Sequence, residues 1–449
     1  MFAKINSAAL NGLKAISVTL EVNAFLTKGG DGTESTFFMV GLPDNAVRES
    51  KQRVLSALAN SAFRLPRMNV TVNLAPADIR KEGSGFDLPL AVGLLKTTDI
   101  VKADRLDEVA FVGELGLDGT IRSVRGALPI AIEARKQGFK ALFVPKANER
   151  EAGVINHLKV YGVKTLKEVV DALNGNLSLT PVAVDTRADF YAAQTTYPLD
   201  FADVKGQVAA KRAFEVAAAG GHNLMIVGSP GCGKSMMAKR LPSILPQLTL
   251  AESLETTQIY SIAGELPAET SLIARRPFRS PHHTISDVAL IGGGMTLRPG
   301  EISLAHNGVL FLDELPEFRR QVLEVMRQPL EDRKITLSRA KSSAEYPASF
   351  MLIASMNPCP CGYYNHPTKE CVCTPAMVQK YLNRISGPLL DRIDLHVEVV
   401  PVPFEKLSQT QKAESSAEIR KRVIAARKRQ AERFADKGIY CNAQMGSQQ

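Results

Sequence analysis

The sequence predicts an α/β protein of more than one domain, on three observations. In the first third of the chain, β-rich runs such as residues 69–74 (NVTVNL) alternate with helical stretches such as residues 46–59. Further on, a short apolar run at 222–227 (HNLMIV) feeds directly into a glycine-rich loop, and the helical stretch MMAKRL follows. Two more runs, 309–312 (VLFL) and 350–355 (FMLIAS), have the unbroken hydrophobicity of strands buried on both faces.

The 449 residues leave room for roughly three domains at about 150 residues each. Residues 1–175 are expected to form a first α/β domain. Residues 176–200 carry turn formers and no sustained period, as a linker does. A second domain is expected over 201–400, opening with a helix entry and helix at 203–220. Residues 401–449 begin a helical element with a basic helix near 420–434. No apolar run reaches the roughly 18 residues of a membrane span, and the N-terminus lacks the apolar core and cleavage site of a secretory signal, so a cytoplasmic protein with no membrane partner is expected. The formal net charge is +9, and residues 401–449 hold ten Lys/Arg against five Asp/Glu, about half of that excess. Such a balance permits a polyanionic partner and equally serves solubility.

The glycine loop is specific. Gly228, Ser229, Pro230, Gly231, Cys232, Gly233, Lys234 and Ser235 match G-x-x-x-x-G-K-[ST] at every fixed position, between a strand and a helix as the mechanism requires. Glycines let successive backbone N–H groups turn towards phosphates, and the following helix adds its positive end. Lys234 would reach the β- and γ-phosphates of ATP, and the Ser235 hydroxyl would bind Mg²⁺. Met236 and Gln207 complete the expected nucleotide-binding set.

Seventy-eight residues beyond Ser235, the run VLFL ends in Asp313 and Glu314. Asp313 would hold the Mg²⁺ shell and Glu314 would polarise the attacking water. An acidic pair after a strand also occurs as a helix cap, and the phosphate loop upstream is what favours catalysis. The third run ends at Asn357, where an amide would orient the same water or sense the γ-phosphate. Arg392, in the polar break of LLDRID, would donate to the γ-phosphate of a neighbouring subunit.

Four of the six cysteines, Cys359, Cys361, Cys371 and Cys373, fall in two pairs directly after that third run. Four thiolates can close a tetrahedral Zn²⁺ site, with His366 between them as an alternate ligand. The one-residue gap within each pair is tighter than usual, and reduced structural thiols or a redox pair are the competing readings.

Taken together, GSPGCGKS, VLFLDE, SMNP and LLDRID occur in the order of the AAA+ ATPases and resemble the magnesium-chelatase branch most closely. Residues 276–294 (RPFRSPHHTISDVALIGGG) look like that branch's inserted helix region, and residues 330–340 (LEDRKITLSRA) like its β-hairpin before the sensor strand. The resemblance makes Asn357 the sensor and Arg392 the trans-acting arginine finger. In the first domain, residues 77–89 (ADIRKEGSGFDLP) and 112–119 (VGELGLDG) resemble a Lon-protease-like (ribosomal S5 domain 2-like) β-α domain. Lon peptidases use a Ser-Lys dyad. Here the nucleophile position falls on Gly85, with Ser84 one place early, and the lysine position falls near Leu128, so no peptidase activity is expected.

A Lon-like domain ahead of a chelatase-like AAA+ αβα sandwich is the arrangement of the ComM/YifB family. That resemblance implies a homo-hexameric ring translocating on DNA, a branch-migration helicase active in natural transformation and homologous recombination. Its partner would be single- or double-stranded and branched DNA, held without sequence readout. The hairpin would project Arg339 and Lys341 towards such DNA, and the insert would add Arg276, Arg279, His282 and His283. The alternative is a chelatase-type remodeller acting on a protein partner. The family's helical lid carries a second nucleotide-contacting arginine, expected beyond Gln449.

Overall fold

The run KAISVTLEVNAFL alternates, and Lys14–Leu26 is accordingly a strand that buries Val18, Leu20, Val22 and Ala24 on one face. It pairs antiparallel with Phe2–Asn11 across a tight turn at Gly12 and, on its other side, with Met68–Ala75. The computed structural model describes residues 1–26, 36–194, 197–294, 296–339, 342–402, 413–446 and 449. Within them the chain divides into two compact units, Met1–Phe190 with Thr257–Ile273, and Tyr191–Thr256 with Ala274–Gln449.

The first unit is built on a seven-stranded sheet ordered Phe37–Val40, Met68–Ala75, Lys14–Leu26, Phe2–Asn11, Val109–Phe111, Ala141–Pro145 and Lys159–Val163. The last three strands run parallel to Phe2–Asn11 and to each other. Helix Asp87–Thr97 (DLPLAVGLLKT) is apolar almost all round and is buried along nearly its whole length. Its fully buried Asp87 accepts from Arg53 Nε at 2.7 Å, from the Leu115 amide at 3.2 Å and from Ser50. Burial pushes this carboxyl up, and the Arg53 hydrogen bond opposes the rise.

Gly93 lets this helix approach the sheet, because a Cβ there would stand 2.7 Å from Val22 Cγ2. Overpacking a core costs about 1–3 kcal/mol, whereas replacing a helical glycine by alanine gains about 1 kcal/mol. Gly93→Ala is therefore expected to destabilise the first unit by about 1 kcal/mol, read as a lower urea midpoint. An unchanged or higher midpoint would show that Val22 yields without strain.

Two features depart from the expected boundaries. Residues 176–200 are not wholly linker: Val182 N donates to Val160 O at 2.8 Å, and Thr186–Gln194 is a helix. Thr257–Ile273, inside the span expected for the second domain, groups with the first unit, where the Gly126 amide donates to Ser261 O at 3.0 Å.

In the second unit, five parallel strands run in the order Phe278–Arg279, Val309–Leu312, Met351–Met356, Leu224–Gly228 and Leu395–Val399. Val309–Leu312 and Met351–Met356 are buried at every residue, as their continuous hydrophobicity predicts. Helix Val208–Gly220 covers the sheet, with Phe201, Phe214, Ile226, Phe311 and Ile353 in the core. Helix Ser416–Arg433 opens on a capping box of Ser415 and Glu418. Expected as the start of a separate lid, it belongs to this unit. Arg422 Nε meets Glu215 at 2.6 Å, and Arg427 and Gln430 donate to Ala218 O and Ala219 O at the end of Val208–Gly220.

Candidate active site

Parallel strands present their carboxyl ends along one edge, and in an open α/β sheet that edge is where ligands bind. The strand Leu224–Gly228 before the glycine loop is hydrogen-bonded to Met351–Met356, which is hydrogen-bonded in turn to Val309–Leu312, the strand before Asp313 and Glu314. Residues 229–235, Asn357 and Asp313–Glu314 therefore leave adjacent strand ends. Gly231 and Gly233 take φ +80° and +91°, the left-handed region that glycine tolerates, and this turns the loop amides inwards. A Cβ on Gly228 would stand 2.4 Å from Val399 O, so the loop starts where only glycine fits.

The polar groups converge. Lys234 Nζ donates to Gly228 O at 2.6 Å, Ser229 O at 3.0 Å and Asn357 Oδ1 at 3.1 Å. Burial pushes the ammonium below its ordinary value, and the Asp313 and Glu314 carboxylates oppose this in part. Ser235 Oγ donates to Asp313 Oδ2 at 2.6 Å, and Ser355 Oγ donates to Asp313 Oδ1. Asp313 is thus held from the helix after the glycine loop and from the neighbouring strand. Glu314 is exposed and sits at φ 54°, left-handed for a residue with a Cβ. Such backbone conformations cost about 1–3 kcal/mol and gather at functional sites. His283 Nδ1 lies 3.8 Å from the Glu314 carboxylate.

Gln207 Nε2 donates to Cys232 O at 3.3 Å and Val400 O at 2.7 Å, tying the loop to the last strand. Met236 is exposed on the helix after the loop. Arg392 is not among the converging groups: its Nη2 pairs with Glu331 and its Nη1 donates to Pro388 O. Two residues of this site went unread in the sequence. Ser355 was the one hydroxyl in FMLIAS and its signal was there to see. Arg384 meets Glu317 at 2.9 Å, just beyond the acidic strand, and is an ordinary polar residue until the fold places it there. At the opposite, amino end of the sheet, Asn223 donates to Arg392 O at 2.8 Å and accepts from Leu352 N at 2.8 Å.

Comparison with known proteins bears on this arrangement. The family described as "Magnesium chelatase, subunit ChlI" matches residues 200–407, and that described as "Subunit ChlI of Mg-chelatase" matches residues 27–148. The chain is 44% identical over 446 residues to the competence protein ComM of Haemophilus influenzae, spanning 98% of this chain and 85% of that protein. To YifB of Escherichia coli it is 45% identical over 433 residues, 96% and 82% of the two chains. The chain belongs to the ComM/YifB family. Over shorter stretches it is 28% identical to Lon protease 2 of Bacillus subtilis (125 residues) and 33% identical to the DNA repair protein RadA of Listeria monocytogenes (96 residues).

The ComM/YifB assignment makes the first unit a Lon-like β-α domain and the second an AAA+ αβα sandwich of the magnesium-chelatase kind. ATP and Mg²⁺ are the ligands that such an AAA+ ATPase implies. At Gly85, where the resemblance puts the Lon nucleophile, a Cβ would stand 3.2 Å from Val112 Cγ2, and Leu128, near the expected lysine position, is fully buried. Ser84 Oγ donates to Glu114, and Lys81 Nζ donates to Pro76 O, so that hydroxyl and that amine are engaged with other partners.

The four cysteines of this family member come together. Their sulfurs all lie within 4.8 Å of one another, with Cys359–Cys361 at 3.3 Å, Cys359–Cys371 at 3.7 Å and Cys361–Cys371 at 3.6 Å. These are non-bonded distances, and a Zn²⁺ tetrahedron with bonds near 2.3 Å has edges of about 3.8 Å. The thiols fit the ion. The Tyr363 amide pulls the Cys361 thiol down to about 6, whereas burial and the neighbouring Cys361 and Cys359 thiols push Cys371 and Cys373 up, so the fit rests on the geometry. His366 is not part of the cluster; its Nδ1 accepts from the Thr368 and Lys369 amides at 3.2 and 3.0 Å.

The residues expected to face DNA divide. Arg339 is exposed at the end of hairpin strand Lys334–Arg339, and Lys341 lies outside the described residues. Arg276 is withdrawn from that set, because its guanidinium is buried among Glu252, Pro246 O and Asn307 O at 2.6–3.2 Å. Arg279 is withdrawn likewise, being paired bidentately with Glu301 at 2.6 Å. His282 is exposed and lies against His283 with the rings tilted by 34° and their centroids 4.1 Å apart, while His283 faces the Glu314 carboxylate. No helix among the described residues is long and apolar enough to cross a membrane.

Proposed function

We propose that this ComM/YifB family member is an ATP-driven DNA motor, a homo-hexameric, cytoplasmic branch-migration helicase that promotes integration of transforming DNA and homologous recombination. The observation that carries the ATPase half is the convergence of Lys234, Ser235, Asp313, Glu314 and Asn357 at adjoining strand ends. The DNA half is supported by the relatives named for competence and DNA repair and by the basic balance of the chain.

In this mechanism the loop amides and Lys234 hold the β- and γ-phosphates of ATP, exchanging the carbonyl contacts of Lys234 for phosphate oxygens. Mg²⁺, when bound, neutralises developing charge on the phosphates. Ser235 and Asp313 are the residues that would hold it, and Ser355 keeps Asp313 aimed. Glu314 accepts a proton from the attacking water as Asn357 orients that water. Arg392, released from Glu331, stabilises the γ-phosphate charge on the neighbouring subunit. Arg339 tracks the DNA backbone without reading bases. Cys359, Cys361, Cys371 and Cys373 would hold a structural Zn²⁺.

The decisive experiment measures ATP hydrolysis with and without a branched DNA junction. DNA should raise turnover and the protein should move the branch point, with an effect that weakens as salt rises. Arg339→Ala should reduce the stimulation. Absence of any DNA effect would instead favour a chelatase-type remodeller acting on a protein partner, a second reading supported by the family match over residues 200–407.

A further inference from the structure

The four-thiol loop begins two residues after the sensor. Cys359 is fully buried, its sulfur accepts from the Tyr364 amide at 3.3 Å, and its carbonyl accepts from the Gly362 amide at 3.0 Å. This turn carries Gly362 against the nucleotide loop. Gly362 has φ +85°, and a Cβ built on it would stand 2.6 Å from Pro230 Cδ and 2.8 Å from Pro230 Cγ, with Asn357 Cγ at 3.9 Å. The backbone of the thiol loop therefore lies flush against the second residue after Gly228, at a point where no side chain fits.

Asn357 is held by its side chain, whose Oδ1 accepts from Lys234 Nζ at 3.1 Å, and Cys359 follows two residues later. A loop of this kind has few apolar residues of its own: Tyr364 and Val372 are exposed, and Pro360, Asn365 and residues 367–370 are exposed as well. Its order rests on the thiol cluster rather than on a core.

We infer that the four-thiol loop is the clamp of the nucleotide site: with metal bound by Cys359, Cys361, Cys371 and Cys373, it seats Pro230 and Asn357 for ATP. The inference rests on the reading that residues 228–235 bind ATP, and it adds a regulatory link, since loss of the metal would loosen the site from a distance. The loop would then connect zinc supply to nucleotide affinity, with no group of its own touching the nucleotide.

The test is made on the full chain, with zinc content by mass spectrometry, binding of a fluorescent ATP analogue, and circular dichroism to establish folding. The expected results are one zinc per chain in the native protein, and at least tenfold weaker ATP binding in Cys371→Ser/Cys373→Ser, which loses the ion. Gly362→Ala keeps all four thiols and separates the clamp from the metal. It should retain zinc and still bind ATP at least tenfold more weakly, because its methyl group enters the Pro230 ring. A folded, zinc-free double variant with native ATP affinity would overturn the inference, and so would native affinity in Gly362→Ala. Should the double variant fail to fold, the glycine variant decides alone. Failure of the native protein to bind the ATP analogue would sink the nucleotide-site reading itself, a different outcome from unchanged affinity in the variants.

Discussion

Arg392→Ala is expected to lower ATP turnover by about 10³-fold or more, the range in which arginine fingers act, while leaving ATP affinity of the isolated chain nearly unchanged. The reason lies in its position. Within the chain Arg392 is paired with Glu331 and hydrogen-bonded to Pro388 O, whereas Lys234, Asp313 and Asn357 form a set without it. On the proposed reading, an arginine engaged elsewhere within its own subunit serves the site of a neighbouring copy. Mixing Arg392→Ala chains with Glu314→Gln chains gives the sharper measurement. If the site is shared, some interfaces in the mixture pair an intact Glu314 with an intact Arg392, and activity should return above that of either variant alone. No recovery at any mixing ratio, with assembly verified by sedimentation, would place Arg392 outside the reaction.

Glu314→Gln should retain ATP and lose turnover by about 10²–10⁴-fold, the usual contribution of a general base. The amide keeps the shape of the side chain and its backbone position at φ 54°, but cannot take a proton from water. Phosphate release measured beside analogue binding separates the two effects: binding should be unchanged within a factor of about three, while release stops. The variant should also fail to move a DNA branch point. Phosphate release equal to that of the native protein would remove Glu314 from its proposed role and leave His283, 3.8 Å away, as a neighbour without a catalytic carboxylate to act on.

Much of the fold was legible because its signals are local. The glycine loop announces itself through residue types that the backbone demands, φ +80° at Gly231 and +91° at Gly233, and the fully buried strands Val309–Leu312 and Met351–Met356 show as unbroken apolar runs. Partners defined by distant segments were another matter. Arg276 and Arg279 looked like exposed cations, because Glu252 and Glu301, which neutralise them, lie 24 and 22 residues away. Thr257–Ile273 gave no local sign that it would group with the first unit. The helix Ser416–Arg433 read as the basic start of a further helical element, while its buried stripe of Ile419, Val423 and Gln430 binds it to Val208–Gly220.

The sequence by itself determined the nucleotide chemistry and the family, since a phosphate loop, an acidic strand end and four spaced cysteines are patterns of residue type and order. Only the tertiary structure decided which of those residues meet. Parallel pairing of three strands brought Ser355 to Asp313 and Asn357 to Lys234, and the turn at Gly362 set the thiol loop against Pro230. The physical reason is range: glycine conformations and hydrophobic runs are properties of a few neighbouring residues, whereas a hydrogen bond across 123 positions exists only once the sheet has ordered both ends.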